Sequence, residues 1–221
     1  MLGRAHSPDG TELKLIRRDD EYLILASGKP LMSSRMHGSE EVLAAAACRQ
    51  AQTLNHPHVL IGGLGMGFTL RAALQFLPPQ ATVVVAELIP AVVEWSRGPL
   101  AALAAHPLND KRVRVEIDDV AATLRSNPRQ FDAILLDVDN GPAAFTIPGN
   151  AALYDASGIA TALAALKPNG VLAVWSARVD KNFERRLRQT GFAVKAVRAS
   201  ARAKTSGPRH TIYLASKPPI R

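Results

Sequence analysis

The residues VLIGGLGMGFTLRAAL (59–74) decide the fold, because they are typical of a buried strand, a glycine-rich turn and a helix. Four glycines follow the apolar strand: Gly62, Gly63, Gly65 and Gly67. Glycine adopts backbone angles that other residues avoid, and the N-terminus of the following helix presents unpaired N–H groups. We therefore expect a ligand to bind at this turn.

An acidic residue, Glu87, follows the next apolar run, ATVVVA (81–86), about 20 residues after the glycines. A carboxylate in this place can accept hydrogen bonds from both ribose hydroxyls of a nucleoside. The glycine pattern alone would also fit an ordinary strand-to-helix loop. Together with Glu87 it favours a βαβ unit that binds a nucleoside.

The composition indicates one domain with a small appendage, since 221 residues at 47% hydrophobic content can fill one core. No apolar run approaches the roughly 20 residues that cross a bilayer, and the first ten residues lack the apolar core of a signal peptide. The single cysteine, Cys48, excludes an internal disulfide, and the histidines have no ligand spacing. We expect a cytoplasmic protein with no metal and no membrane contact.

The net charge of +8 is concentrated near the C-terminus. Residues 177–221 hold 12 Lys and Arg against 2 Asp and Glu, or +10, whereas residues 1–176 hold 15 against 17, or −2. Such asymmetry fits either a nucleic-acid partner or a solvated basic face. The solvated face is favoured, because no aromatic residues are interleaved for base stacking.

Alternating patterns over 11–34 predict an N-terminal β-hairpin appendage that occupies residues 1–38. In 39–221 strands alternate with helices, which predicts a doubly wound α/β fold with a mostly parallel, seven-stranded sheet. Within this domain we expect a helix over 151–166, then a turn at 167–170 and a further strand.

Ligands bind at the carboxyl ends of the strands in such sheets, and Asp137 is placed there. It ends the near-continuous apolar run FDAILL (131–136), which predicts a central parallel strand. A carboxylate in that place costs desolvation energy unless it is paired or used, so Asp137 is a candidate functional residue. The loop 140–150, rich in Gly and Pro, is expected to form a lid over it.

Five segments, in this order and spacing, resemble the motifs of the spermidine synthase family: IGGLGMGFTLR, VAELIP, RVEIDDV, FDAILLDVDNGPA and LKPNGVLAVWS. That family is built on the Rossmann-like fold of class I S-adenosylmethionine-dependent methyltransferases. The match covers roughly residues 20–180. The N-terminal strands are similar to the small β-domain of the family.

The resemblance implies a role for each matching residue. Cofactor-binding residues would be Gly63, Gly65, Gly67, Glu87, Asp118 and Asp119. The glycines would cradle the methionine-derived part of S-adenosylmethionine or its decarboxylated form, Glu87 would bind the ribose, and the aspartates would bind the adenine. Asp137 and Asp139 would be the catalytic carboxylates, and Glu40 and Glu41 would bind the substrate. Tyr154 is predicted, from its place after the loop 140–150, either to cap the substrate site and bind substrate or to pack in the core or on the surface.

The departures from the family pattern leave the reaction open. Met66 stands where the family carries an aspartate that meets the amine of decarboxylated S-adenosylmethionine, and Asp139 follows Asp137 by two places instead of three. The resemblance implies a transferase that moves an aminopropyl group to a small-molecule amine. A methyltransferase that uses S-adenosylmethionine and a nucleoside-binding protein without turnover are the alternatives, and a homodimer is left open.

Overall fold

The structure is a computed structural model that describes residues 1–138, 141–142, 148–202 and 207–219, with the backbone alone at 148–150. The N-terminal part forms a four-stranded antiparallel sheet in the order β1-β2-β3-β4. Its strands are β1 (Gly3–His6), β2 (Glu12–Arg18), β3 (Glu21–Ala26) and β4 (Lys29–Ser33). The predicted antiparallel appendage is confirmed, and it has four strands where a hairpin would have two.

The remaining strands form one seven-stranded sheet in the order β10-β11-β9-β8-β5-β6-β7. These strands are β5 (His58–Gly62), β6 (Thr82–Ala86), β7 (Val113–Glu116), β8 (Phe131–Leu136), β9 (Leu166–Ser176), β10 (Ala193–Ser200) and β11 (Arg209–Ser216). The strands from β7 to β9 run parallel, and β11 and β10 add antiparallel pairs at the other edge. The predicted α/β fold with a mostly parallel sheet is confirmed.

Six α-helices accompany the sheet within the described ranges. They are α1 (Gly38–Ala51), α2 (Phe68–Phe76), α3 (Pro90–Arg97), α4 (Val120–Ser126), α5 (Ala156–Ala165) and α6 (Lys181–Gln189). Short 3₁₀ turns lie at Ala101–Ala104, Pro107–Asn109 and Pro148–Leu153. The sheet is therefore wound on both sides, as the alternation of strands and helices predicted.

The buried side chains form two cores, one on each face of the sheet. In β5, Val59 and Ile61 belong to one core and Leu60 to the other, because successive side chains of a strand point to opposite faces. Leu15 and Ile24 of the N-terminal sheet join the core of Val59. The two sheets thus share apolar packing, and a domain boundary at residue 38 stays a prediction.

The structure corrects two local predictions. The helix expected over 151–166 begins only at Ala156, since Asp155 caps it by accepting a hydrogen bond from the Gly158 N–H at 2.8 Å. The turn expected at 167–170 lies inside β9, where the pairing with β8 shifts register. Asn169, with a φ of 64°, supplies the left-handed residue of this irregularity.

Within the described ranges, no helix has the length and apolar character needed to cross a membrane. Among the same residues, no group of three or more His, Cys, Asp or Glu side chains comes together in a way that could hold a metal ion. Lys195 and Arg198 of the basic C-terminal quarter are exposed on β10, at the edge of the sheet. A nucleic-acid surface and a solvated basic face therefore both stay predictions for this C-terminal charge.

Replacement of Gly63 by alanine should lower the free energy of unfolding by about 3 kcal/mol. Gly63 has a φ of +87°, and a Cβ there would lie 2.5 Å from the carbonyl oxygen of Asp137, a main-chain atom that cannot rotate away. Gly28→Ala is the matched control, because Gly28 has a φ of +77° with no atom within 4 Å of its Cβ position. It should lose only about 1 kcal/mol. Equal losses in equilibrium urea unfolding would contradict the role given to the Asp137 contact.

Candidate active site

The glycine turn lies at the carboxyl end of β5, between the ends of β6 and β8. Its glycines have positive φ values of 87° at Gly63, 51° at Gly65 and 83° at Gly67, the residue that precedes α2. The Gly63 N–H donates to the Ala86 carbonyl at 2.9 Å, and the Asp137 N–H donates to the Gly62 carbonyl at 2.9 Å. Main-chain hydrogen bonds therefore hold the turn against both neighbouring strands.

Glu87 is buried at the end of β6, where it supports the glycine turn. Its Oε2 accepts a hydrogen bond from the Leu64 N–H at 2.8 Å, and its Oε1 accepts one from the Ile89 N–H at 2.9 Å. Glu87 also lines the open cavity at the carboxyl ends of the strands. The sequence indicated only the ligand-binding role and missed the structural one.

Asp118 and Asp119 follow β7 and are exposed. Asp119 Oδ1 accepts from the Ala121 N–H at 2.9 Å and so caps α4, while Asp118 Oδ1 accepts from the Asp119 N–H at 2.8 Å. These bonds fix the start of α4 and the direction of both carboxylates beside the glycine turn.

The first cleft is an open cavity of about 740 Å³ at the carboxyl ends of the strands. Six residues predicted from the sequence line it: Gly63, Gly65, Glu87, Asp118, Asp119 and Asp137. Gly67 does not, because it lies against Ala104 and Pro107 at the start of α2. Apolar contacts come from Leu31 and Met32 of β4, among others. No Lys or Arg occurs among the described residues that line this cleft.

The second cleft, of about 780 Å³, lies beside the first and shares Leu31, Met32 and Asp137 with it. Its other lining residues are Ser33, Met36, Glu40, Trp175, Ala177 and His210. Asp137 is thus the ionisable side chain that the two cavities have in common. The sequence missed the contribution of Trp175, whose position at the end of β9, beside β8, could have indicated it.

The carboxyl group of Asp137 lies just beyond the end of β8 and is largely packed against protein, although the residue is partly exposed where it lines the two clefts. This burial raises the pKa of Asp137 to about 6, and a hydrogen bond that the Thr69 hydroxyl donates to Oδ2 partly opposes the rise. Thr69 lies in the first turn of α2 and was not singled out from the sequence. At neutral pH Asp137 is therefore an ionised carboxylate with the basicity of a general base.

Glu40, in the first turn of α1, is the second acidic group of this cleft. Burial and then the charge of Asp137 raise the pKa of Glu40 to about 8, while a hydrogen bond with the Ser39 hydroxyl, 2.7 Å from Oε2, lowers it. The environment thus raises the pKa values of two neighbouring carboxyl groups to different extents. Near pH 7 the two coupled groups therefore hold about one proton between them.

Two predicted site residues, Glu41 and Tyr154, line neither cleft. Glu41 Oε1 contacts Arg71 at 2.7 Å and His37 at 3.0 Å. Tyr154 is buried, and its hydroxyl donates to the Val138 carbonyl at 3.4 Å. Asp139 lies outside the described residues, as do residues 140 and 143–147 of the expected lid. Roles for these residues stay predictions.

Comparison with known proteins supports one family. The model of the spermine/spermidine synthase domain matches residues 36–196. Proteins from Mycobacterium tuberculosis and Mycobacterium bovis, each described as a polyamine aminopropyltransferase, are 35% identical over 168 residues. That match covers 74% of this chain and 30% of theirs, so the chain spans about a third of the length of these curated relatives.

Solved structures share the fold at low sequence identity. A spermidine synthase from Thermotoga maritima superposes with a TM-score of 0.76 at 20% identity, covering 99% of this chain and 73% of its own. A spermidine synthase in complex with the transition-state analogue AdoDATO gives a TM-score of 0.75 at 19% identity, with the same coverages. A probable spermidine synthase from Corynebacterium glutamicum gives 0.64 at 19%, covering 98% and 80%.

Replacement of Asp137 by asparagine should raise the free energy of unfolding at pH 8 and leave it unchanged at pH 4. The folded-state pKa of about 6 lies above the ordinary value of 3.8, so ionisation costs stability as the pH rises through this interval and the cost is complete above it. Urea unfolding between pH 4 and pH 8 measures the difference between the variant and the parent protein.

Asp132→Asn is the matched control, because Asp132 lies on β8 and makes an ion pair with Lys167 at 2.7 Å. Its Oδ2 also accepts from the His58 N–H at 2.8 Å. This variant should lower the free energy of unfolding at pH 8 by about 2 kcal/mol. If Asp137→Asn were destabilising as well, the Asp137 carboxylate would be fully compensated by its surroundings.

Proposed function

Because this chain belongs to the spermine/spermidine synthase family, we propose that it transfers an aminopropyl group from decarboxylated S-adenosylmethionine to a small amine. One observation carries the proposal: two clefts meet at Asp137. A transfer between two substrates needs the donor carbon and the acceptor nitrogen in contact at one point. The first cleft would hold the donor, and the second would hold the amine.

The residues of the first cleft suit a nucleoside donor with a cationic tail. Glu87, Asp118 and Asp119 line this cleft, and carboxylates are suitable acceptors for ribose hydroxyls and for the adenine amino group. Decarboxylated S-adenosylmethionine ends in an ammonium, whereas S-adenosylmethionine also carries a carboxylate. A carboxylate would enter a cleft whose described charged groups are all acidic, which disfavours it.

Met66, the residue that departs from the family pattern, does not decide between these donors. Its side chain is buried in the apolar core and lines neither cleft. The donor preference therefore rests on the charges that do line the first cleft, and these favour the decarboxylated form.

The carboxyl groups of Asp137 and Glu40, here called the acid pair, account for the proton that the acceptor amine loses. Asp137, ionised at neutral pH, attracts the acceptor ammonium and takes one proton from it, so that the electrons of the N–H bond remain on nitrogen as a lone pair. That lone pair forms the new C–N bond at the methylene carbon beside the sulfonium, and the electrons of the C–S bond leave with sulfur as a neutral thioether. The sulfonium is already activated, so alignment and proton removal are the main tasks of the protein.

The donor preference can be measured by calorimetric titration. Decarboxylated S-adenosylmethionine should bind at least about tenfold more tightly than S-adenosylmethionine, a difference of about 1.4 kcal/mol. Glu87→Gln, which changes the ribose contact, should weaken both by a similar factor of about ten. Tighter binding of S-adenosylmethionine would refute aminopropyl transfer and favour methyl transfer.

Asp137→Asn should lower kcat for aminopropyl transfer by a factor of about 10² or more, because an amide cannot take the proton of the amine. The Kd of the donor should stay nearly unchanged, since Asp137 lies at the edge of the first cleft. Asp20→Asn, at an exposed turn carboxylate, is the control and should keep the parent rate. The measurement is methylthioadenosine release with a series of small amines, and full activity of Asp137→Asn would rule out Asp137 as the base.

A further inference from the structure

A chain of hydrogen bonds leads away from the acid pair along the wall of the second cleft. Ser39 Oγ lies 2.7 Å from Glu40 Oε2 and 2.9 Å from His210 Nδ1. Trp175 Nε1 donates to the same oxygen at 3.0 Å. Ser39 is fully buried, whereas His210 is half-buried and lines the cleft. The chain therefore connects a buried carboxyl group with an imidazole that is partly open to solvent.

The single hydroxyl hydrogen of Ser39 couples the protonation of Glu40 to that of Nδ1 of His210. A serine hydroxyl has one hydrogen and two lone pairs, and the Trp175 N–H can only donate. The remaining lone pair and the hydrogen are therefore divided between Glu40 and His210. When Ser39 donates to an ionised Glu40, Nδ1 of His210 must carry a hydrogen. When Glu40 is protonated and donates to Ser39, the serine donates to an unprotonated Nδ1.

We propose that Ser39 and His210 form a proton relay between Glu40 and the solvent. The relay rests on the proposed function, because it removes the proton that the acceptor amine loses to the acid pair. Glu40 gives its proton to Ser39, Ser39 gives its own to Nδ1 of His210, and Nε2 of His210 releases one to water. Glu40 then takes the proton held by Asp137 through water in the second cleft, which both carboxyl groups line, and exchange of His210 with water restores its Nε2–H tautomer before the next turnover. Ser39 and His210 affect the reaction only through Glu40, so they are positioning residues and not catalytic residues.

The charges around the chain set where the proton rests before transfer begins. Burial and the facing carboxylates of Asp137 and Glu41 raise the pKa of Glu40, whereas burial lowers the pKa of His210. Near pH 7 the proton therefore rests on Glu40 and the imidazole is neutral. Trp175, whose ring centroid lies 4.5 Å from that of His210 at an interplanar angle of 62°, holds the imidazole in place.

The tautomer of His210 tests the coupling without any turnover. With ¹⁵N-histidine in the protein, Nδ1 of His210 should be unprotonated at pH 7 and become protonated as Glu40 ionises, with a midpoint near the Glu40 pKa of about 8. Glu40→Gln should abolish the change, because its amide is neutral at every pH and can keep donating to Ser39. The exposed His56 serves as the internal control and should show no such transition. A constant tautomer in the parent protein, or an unchanged transition in Glu40→Gln, would overturn the proposal.

The role of the relay in turnover needs a kinetic measurement. His210→Phe keeps an aromatic ring beside Trp175 but cannot pass a proton, so kcat should fall by a factor of about ten or more. The KM of the donor should not change, because His210 does not line the first cleft. Ser39→Ala should give the same pattern and abolish the tautomer transition, whereas His56→Gln should retain the parent kcat. A parent-like kcat in His210→Phe would overturn the relay.

Failure of the relay and failure of the proposed function give different results. If the parent protein transferred no aminopropyl group to any amine, the proposed function would fail. The tautomer transition would then still show whether Glu40 and His210 are coupled through Ser39. If transfer occurred at the parent rate in both Ser39→Ala and His210→Phe, the proposed function would stand and the relay would be wrong.

Discussion

The close approach of Gly63 to the main chain of Asp137 is the constraint on which the rest of the site depends. The Cβ of a side chain at Gly63 would lie only 2.5 Å from the Asp137 carbonyl oxygen, and the neighbouring Gly62 carbonyl accepts the Asp137 N–H. The glycine turn and the carboxylate are therefore fixed to each other through rigid backbone. One consequence is that the two clefts meet at a defined point, whatever the lengths of their outer loops.

The buried carboxyl groups show that the site is built at a cost to stability. Asp137 and Glu40 both have raised pKa values because burial disfavours their charged forms. Thr69 and Ser39 each provide one hydrogen bond that offsets part of this cost. A hydrophobic pair would avoid this desolvation cost, but it could not exchange a proton. The retained penalty is typical of positions kept for chemistry.

The sequence predicted those parts of the site that depend on local pattern. Glu87 and Asp137 were found because apolar runs end at them, and the carboxyl ends of parallel strands share one edge. The Ser39 cluster could not be found in this way, since 171 positions separate Ser39 from His210 and 136 separate it from Trp175. Their meeting depends on β11 inserting antiparallel beside β9, which no local spacing encodes. The second role of Glu87 was hidden for the same reason, because it requires the contact with Leu64.

The N-terminal sheet contributes more than its place in the chain suggests. Leu31 and Met32 of β4 line both clefts, although the acidic groups of the site all come from the helical layer and the parallel strands. Substitutions in β4 can therefore reshape both cavities while the proton-handling groups stay untouched. Divergence of this small module offers related proteins a route to new substrates, and selection can act on recognition and on chemistry in separate stretches of the chain.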